Sequence, residues 1–241
     1  MMTSIPLSPF DGVLLVDKPP RLTSHDVVDR IRRQFGFHKV GHCGTLDPLA
    51  TGLLVIVLER ATKLQQRLMA DDKTYEGTLK LGVTTDSQDA DGEIIAEKPV
   101  PPIGAAELEA VLAKFTGDIQ QIPPMISAKK LQGVPLYKLA RKGKTVEREP
   151  RTVHIYDFRL LKFGSPYATF RLTCTKGTYV RTLCHDIGES LGCGAHLASL
   201  RRIRSGRFDI QDARPLDELL RLTRQQLPPF IIPLLKVLSP V

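Results

Sequence analysis

The sequence predicts an α+β chain built on a largely antiparallel, mixed central sheet flanked by helices, rather than a regular βαβ repeat. Two β-rich runs, 153–163 and 167–175, are separated only by Gly164-Ser165-Pro166, the composition of a hairpin turn. A polar loop, 84–92, leads to Ile94 and Ile95 as a hairpin-like return from the alternating run 73–81. The helical repeats fall irregularly among these strands, so no doubly wound sheet is indicated.

Taken in order, Gly12 to Asp17 is a short apolar strand closed by Lys18-Pro19-Pro20. Ser24 can cap a helix whose Val27, Val28, Ile31 and Phe35 recur at helical spacing until Gly36. A glycine-rich segment precedes a buried strand, 53–58, and a helix is expected over 60–69 with Leu64 and Leu68 on one face. Leu108, Val111, Leu112 and Phe115 form an apolar stripe on a helix closed by Gly117. A helix over 179–191, a β-like run over 195–207 and a short helix over 216–222 complete the pattern, with 227–241 expected to be a docked tail or the stub of an extension.

The 241 residues carry 34 Lys and Arg against 26 Asp and Glu, a formal charge of +8 that favours a polyanionic partner: nucleic acid first, an anionic membrane second. No apolar stretch reaches a membrane span, the N-terminus lacks a signal-peptide pattern, and a membrane-surface protein would need a long lysine-lined amphipathic helix; cytoplasmic residence is expected. The four cysteines show no CxxC pair and read as buried or incidental thiols. With no Trp and few aromatics, nucleic-acid binding should lean on charge and shape rather than on an aromatic platform. Residues 123–151 concentrate Lys129, Lys130, Lys138, Arg141, Lys142, Lys144, Arg148 and Arg151 against only Glu147 and Glu149, the profile of a basic insertion.

The segment most suggestive of chemistry is Gly41 to Gly52, which presents Asp47 on a glycine-flanked turn stiffened by Pro48. By itself this is equally an Asx turn. Other signals fail on their own chemistry. The segment lacks the GxxxxGK[ST] of a phosphate loop, and His42 has no second metal ligand at useful spacing. Ser87 to Gly92 approaches calcium-loop spacing but has Ser87 first and Lys98 twelfth.

Gly41 to Leu54 (GHCGTLDPLATGLL), Ala61 to Lys63 (ATK), Asp72 to Gly77 (DKTYEG), Thr84 to Gly92 (TTDSQDADG), Gln121 to Ala128 (QIPPMISA), Lys176 to Leu183 (KGTYVRTL) and Leu191 to Arg202 (LGCGAHLASLRR) together resemble bacterial TruB-type tRNA pseudouridine synthases. The match runs in family order from about Gly12 to Arg207. The resemblance implies isomerisation of the T-loop uridine 55 of tRNA to pseudouridine by a monomer, by base flipping and C-glycoside formation, without metal or organic cofactor. The alternative is a catalytically silent RNA-binding or tRNA-folding module.

The resemblance implies that Asp47 is the catalytic aspartate. Attack on C1′, addition to C6 and elimination through a glycal all stay open. By the same resemblance Arg181 is an active-site arginine that would hold the carboxylate ionised, Tyr75 lines the uracil pocket with Tyr179 among the substrate contacts, and His42 fills the vacated base stack. Lys63 lies near the site and Leu200 closes the base pocket. The basic insertion resembles an RNA-clamping thumb, with Lys129, Lys130, Arg141, Lys142 and Lys144 on phosphates. Residues 1–210 are expected to form the catalytic domain and 211–241 a C-terminal helix and tail without a complete PUA domain, which predicts weak contact with the acceptor-stem end.

Overall fold

The computed structural model describes residues 7–124, 130–131, 134–135 and 148–239. Its strands are β1 (Gly12–Lys18), β2 (Val40–His42), β3 (Thr51–Leu58), β4 (Lys73–Leu81), β5 (Val83–Thr85), β6 (Ile94–Glu97), β7 (Gly117–Gln121), β8 (Lys130–Leu131) and β9 (Val134–Pro135). They continue as β10 (Arg151–Gly164), β11 (Tyr167–Cys174), β12 (Ala195–Ser205), β13 (Phe208–Asp209), β14 (Arg214–Pro215) and β15 (Ile231–Pro233). The described α-helices are α1 (Ser24–Phe35), α2 (Gln65–Met69), α3 (Ala105–Ala113), α4 (Val180–Ser190), α5 (Leu216–Leu220) and α6 (Leu234–Leu238). None is long and apolar enough to cross a membrane. The class is α+β with mostly antiparallel pairing, as the sequence predicts. Two compact units divide the chain: Met1–Lys73 with Arg201–Val241, and Thr74–Leu200.

In the first unit β1 and β3 pair antiparallel from Gly12↔Leu58 to Lys18↔Gly52. Both are almost wholly buried, which is why each reads as a continuous apolar run. β2 pairs antiparallel with β3, and the second half of β12 joins β3 in parallel through Arg201↔Thr51 and Arg202↔Gly52. Val13, Leu15, Leu53, Val55 and Val57 pack with Ala61, Leu68, Phe208 and Val237 into one apolar cluster. The C-terminal segment is docked: β15 pairs with β1 through Leu14↔Ile231.

Two features of this unit differ from expectation. Thr23, not Ser24, is the N-cap of α1, because Thr23 and Asp26 close a reciprocal capping box; Ser24 is the first helical residue. The helix expected over 60–69 is a 3₁₀ segment, Glu59–Leu64, followed by the single turn of α2. Its start carries no side-chain cap and Glu59 has a φ of 47°, so the backbone enters too tightly to launch a regular α-helix.

In the second unit β4, β11, β10 and β7 lie side by side, with the first half of β12 next to β4. β4 alternates strictly, burying Tyr75, Gly77, Leu79 and Leu81 on one face. Its other face meets β11 through Thr74–Thr173 and a Glu76–Arg171 ion pair. β10 and β11 form the expected hairpin. The strand through Ile94 returns onto β5, inside the stretch expected to be loop, and not onto β4, whose two edges are taken by β11 and β12. The helix expected to run to Gly117 stops at Ala113, and Gly117 opens β7 instead. α4 lies so close to the start of β12 that a Cβ on Gly188 would fall 2.1 Å from the Ala195 nitrogen.

Candidate active site

The first unit carries the Asp47 loop, residues 43–50, which joins β2 to β3. The loop is fastened at nearly every residue, mostly through its main chain. Cys43 N donates to Val55 O at 2.8 Å, and Ala50 N closes a turn onto Asp47 O at 3.1 Å. The buried Ser24 hydroxyl accepts from Leu46 N at 2.8 Å and lies 3.2 Å from Leu46 O; Arg21 N donates to Pro48 O at 2.8 Å. Ser24 therefore clamps the loop rather than capping the helix. Asp47 itself is half-buried.

Two buried cations underlie this loop. Lys18, at 0 % exposure, donates from Nζ to Pro19 O (2.9 Å), Leu22 O (2.7 Å) and Pro48 O (3.5 Å). Burial pushes its ammonium down to about 8; the Asp47 carboxylate opposes that shift and the Arg202 guanidinium adds to it. Arg202, at 1 % exposure, donates from Nε to Leu53 O at 2.7 Å and from Nη2 to Gly44 O at 3.1 Å.

The depressed Lys18 pKa makes a signed prediction. The unfolded chain keeps the proton up to the ordinary value of 10.5, whereas the folded protein releases it at about 8. Between those values the unfolded state binds more protons, so the folded state gains stability as pH rises through this window. Urea unfolding followed from about pH 7 to about pH 10.5 should show this rise in wild type and lose it in Lys18→Met. Parallel pH curves for the two proteins would contradict the assignment.

His42 ends β2, and Gln65 Nε2 donates to its carbonyl at 3.0 Å. Its Nδ1 is buried without a hydrogen-bond partner, and burial, then the Arg202 charge, hold the imidazole below its ordinary pKa. A neutral planar ring results, suited to stacking. Cys43 is fully enclosed and its thiol is pushed up to about 12 by burial, which removes it as a nucleophile at neutral pH. Lys63 is exposed on the 3₁₀ segment.

The second unit holds the other candidates. Tyr75 lies on the buried face of β4, and Leu200 is buried at the end of this unit's part of β12. Arg181, in the first turn of α4 and 3 % exposed, donates to Ser87 O at 2.9 Å and pairs with Asp89 at 3.4 Å. Asp89 is itself buried and accepts from Ser87 Oγ at 2.5 Å and Asp91 N at 3.2 Å. The loop read as a failed calcium site is thus a seat for Arg181. Tyr179, at the N-cap of α4, is held through its main chain by Gln121, which accepts from Tyr179 N at 2.7 Å and donates to Tyr179 O at 3.0 Å.

Lys129, Arg141, Lys142 and Lys144 lie outside the described residues, and of Lys130 only the backbone, in the β8–β9 pair, is described. Lys18, Ser24, Arg202, Gln65, Ser87 and Asp89 were not singled out as site residues by sequence reasoning. Apart from the Ser87–Asp89 bond, the contacts that mark them run to main-chain atoms or to side chains distant in sequence, which leave no local pattern.

Two family models cover most of this chain and define its class as pseudouridylate synthase. The N-terminal domain model of the TruB family pseudouridylate synthases matches residues 32–180, and the tRNA pseudouridylate synthase B C-terminal domain model matches residues 181–241. The chain belongs to the TruB family. A relative named tRNA pseudouridine synthase B from Opitutus terrae is 54 % identical over 228 residues, covering 95 % of each chain. One of the same name from Syntrophotalea carbinolica is 50 % identical, covering 95 % of this chain and 75 % of the relative. Among solved structures, the Cbf5-Nop10-Gar1 complex includes a similar chain, 32 % identical with a TM-score of 0.70, over 88 % of this chain and 54 % of that one.

Proposed function

We propose that this pseudouridine synthase acts on tRNA, isomerising uridine 55 of the T loop with Asp47 as its catalytic carboxylate. The observation that carries the reading is the Asp47 loop: a half-buried carboxylate on a backbone fixed along its length, within a segment matched by the TruB model. The names of the relatives supply the substrate class. In the reaction the C1′–N1 bond breaks, a C1′–C5 bond forms, the C5 proton leaves to solvent and N1 gains one. Attack on C1′, addition to C6 and glycal elimination each satisfy this balance, and Asp47 serves as nucleophile or as acid/base accordingly.

A base inside a folded loop must leave its stack before such chemistry can begin. His42 replaces it there, Tyr75 stacks on the flipped uracil, and Leu200 closes the pocket behind it. Arg181 brings a buried positive charge to the reacting nucleotide, with Tyr179 and Lys63 as further contacts. Lys129, Lys130, Arg141, Lys142 and Lys144 neutralise phosphates of the T arm without reading sequence. The enzyme works as a cytoplasmic monomer, with 1–210 as catalytic domain and 211–241 as a C-terminal segment of short helices and strands.

The test uses an unmodified tRNA transcript and a T-arm hairpin, with pseudouridine located by carbodiimide-dependent primer-extension stops. A single stop at position 55, absent when that uridine is replaced by cytidine, is the expected result. Stops elsewhere would overturn the substrate position, and tight binding without any stop would favour the silent RNA-binding module.

A further inference from the structure

We propose that Arg202 is a positioning residue of the reaction, the group that ties the two ends of the segment carrying Asp47 in its reactive geometry. The proposal rests on the reading of Asp47 as the catalytic carboxylate. Arg202 grips the segment at both ends. Its Nε and Nη2, two donors on one edge of the guanidinium, reach Leu53 O at 2.7 Å and Gly44 O at 3.1 Å, so a single planar group spans the loop from entrance to exit. Its main chain holds the same exit, pairing in parallel with Gly52, where a Cβ would lie 2.3 Å from Arg202 O. Gly44, with a φ of 102°, brings its backbone against the guanidinium: a Cβ there would lie 3.3 Å from Nη1.

A guanidinium this deeply enclosed is normally balanced by a carboxylate, and removing its charge from water is costly. Here the hydrogen-bond partners are two carbonyls of the Asp47 segment. Charge-assisted bonds are stronger than neutral ones, and the fork fixes the separation of its two acceptors. Lysine, a compact point charge with rotatable donors, can reach carbonyls but does not fix the spacing of two acceptors as the planar fork does. Asp47 is three residues from one tie and six from the other; releasing them leaves Ser24 on Leu46 and Arg21 on Pro48 but removes the group that fixes the two ends of the segment, so the carboxylate shifts.

The experiment compares Arg202→Met and Arg202→Lys with wild type and Asp47→Asn, in full-length protein. It measures thermal melting, tRNA affinity by filter binding, and the single-turnover rate of isomerisation with enzyme in excess. For Arg202→Met the expected rate loss is about 100-fold, the scale on which a misplacement of about 1 Å acts, with Kd within about threefold of wild type. Arg202→Lys should recover about tenfold of that loss by restoring the charge without the fixed geometry of the fork.

A folded Arg202→Met protein that turns over within about threefold of wild type would overturn the proposal, as would a loss confined to Kd. Failure of both variants to fold would also overturn it, by making Arg202 a residue of folding rather than of positioning. If Asp47→Asn isomerises like wild type, the catalytic reading itself falls. If Asp47→Asn is inactive while Arg202→Met is fast, only the positioning role falls.

Discussion

Asp47→Asn should bind tRNA within about threefold of wild type and form pseudouridine about 10⁴-fold more slowly, the combined scale of lost nucleophilic or acid/base assistance. Asparagine keeps the size of the side chain. The bonds from Arg21 N and Arg202 and to Ser24 all engage main-chain atoms of the loop, so they survive the substitution. What changes is the oxygen pair: an amide can neither attack carbon as a carboxylate does nor exchange a proton near neutral pH. Single-turnover assays at saturating enzyme, with binding measured separately, separate chemistry from affinity. Equal rates for variant and wild type would remove Asp47 from the mechanism, and a parallel loss of binding would make it a substrate contact only.

The Asp47 loop was legible because its signals are local. Glycines at 41, 44 and 52, a proline at 48 and an apolar run after them define a presented turn before any fold is known. The hairpin of β10 and β11 was legible for the same reason, its turn residues lying between two β-rich runs. Thr23 could have been preferred to Ser24, since Thr23-x-x-Asp26 is a capping-box pattern and Ser24 has no acid three residues on. The break at Glu59 could not, because a helical repeat of Leu64 and Leu68 does not report a left-handed φ upstream.

The buried cations were illegible for a different reason. Lys18 ends an apolar run and reads as the first polar residue of a loop, yet it is enclosed completely and donates to a carbonyl 30 residues away. Arg202 sits in an arginine-rich stretch that suggests a solvated basic face, while its bonds reach back 149 and 158 residues. Main-chain acceptors leave no mark on a sequence, since every residue has one. Arg181 is an intermediate case: family resemblance singled it out, but its seat on Asp89 emerged only when the 85–91 loop was in place.

Gly52→Ala should destabilise the protein by about 3 kcal/mol, read as a fall of about 6–12 °C in Tm for a chain of this size. Two independent effects act at this position. Gly52 has a φ of 97°, which an L side chain rarely adopts, so a Cβ alone costs about 1–2 kcal/mol. That Cβ would also lie 2.3 Å from Arg202 O and 2.8 Å from Arg202 N, both backbone atoms of the neighbouring strand. A flexible side chain could move aside; a paired strand cannot, so the parallel bridge between Arg202 and Gly52 has to open. Opening it displaces Arg202 from Leu53 O and Gly44 O, and the Asp47 segment loses both of its ties to Arg202. The folded fraction of Gly52→Ala should therefore isomerise tRNA about 10–100-fold more slowly than wild type, beyond any loss from unfolding. Gly117→Ala is the control for φ alone, since Gly117 has a φ of 82° with nothing within 4 Å of its Cβ position. It should lower Tm by about half as much as Gly52→Ala and leave the turnover of the folded protein unchanged. Equal Tm losses in the two variants would show that strain, rather than the approach of β12 to β3, is what position 52 cannot tolerate.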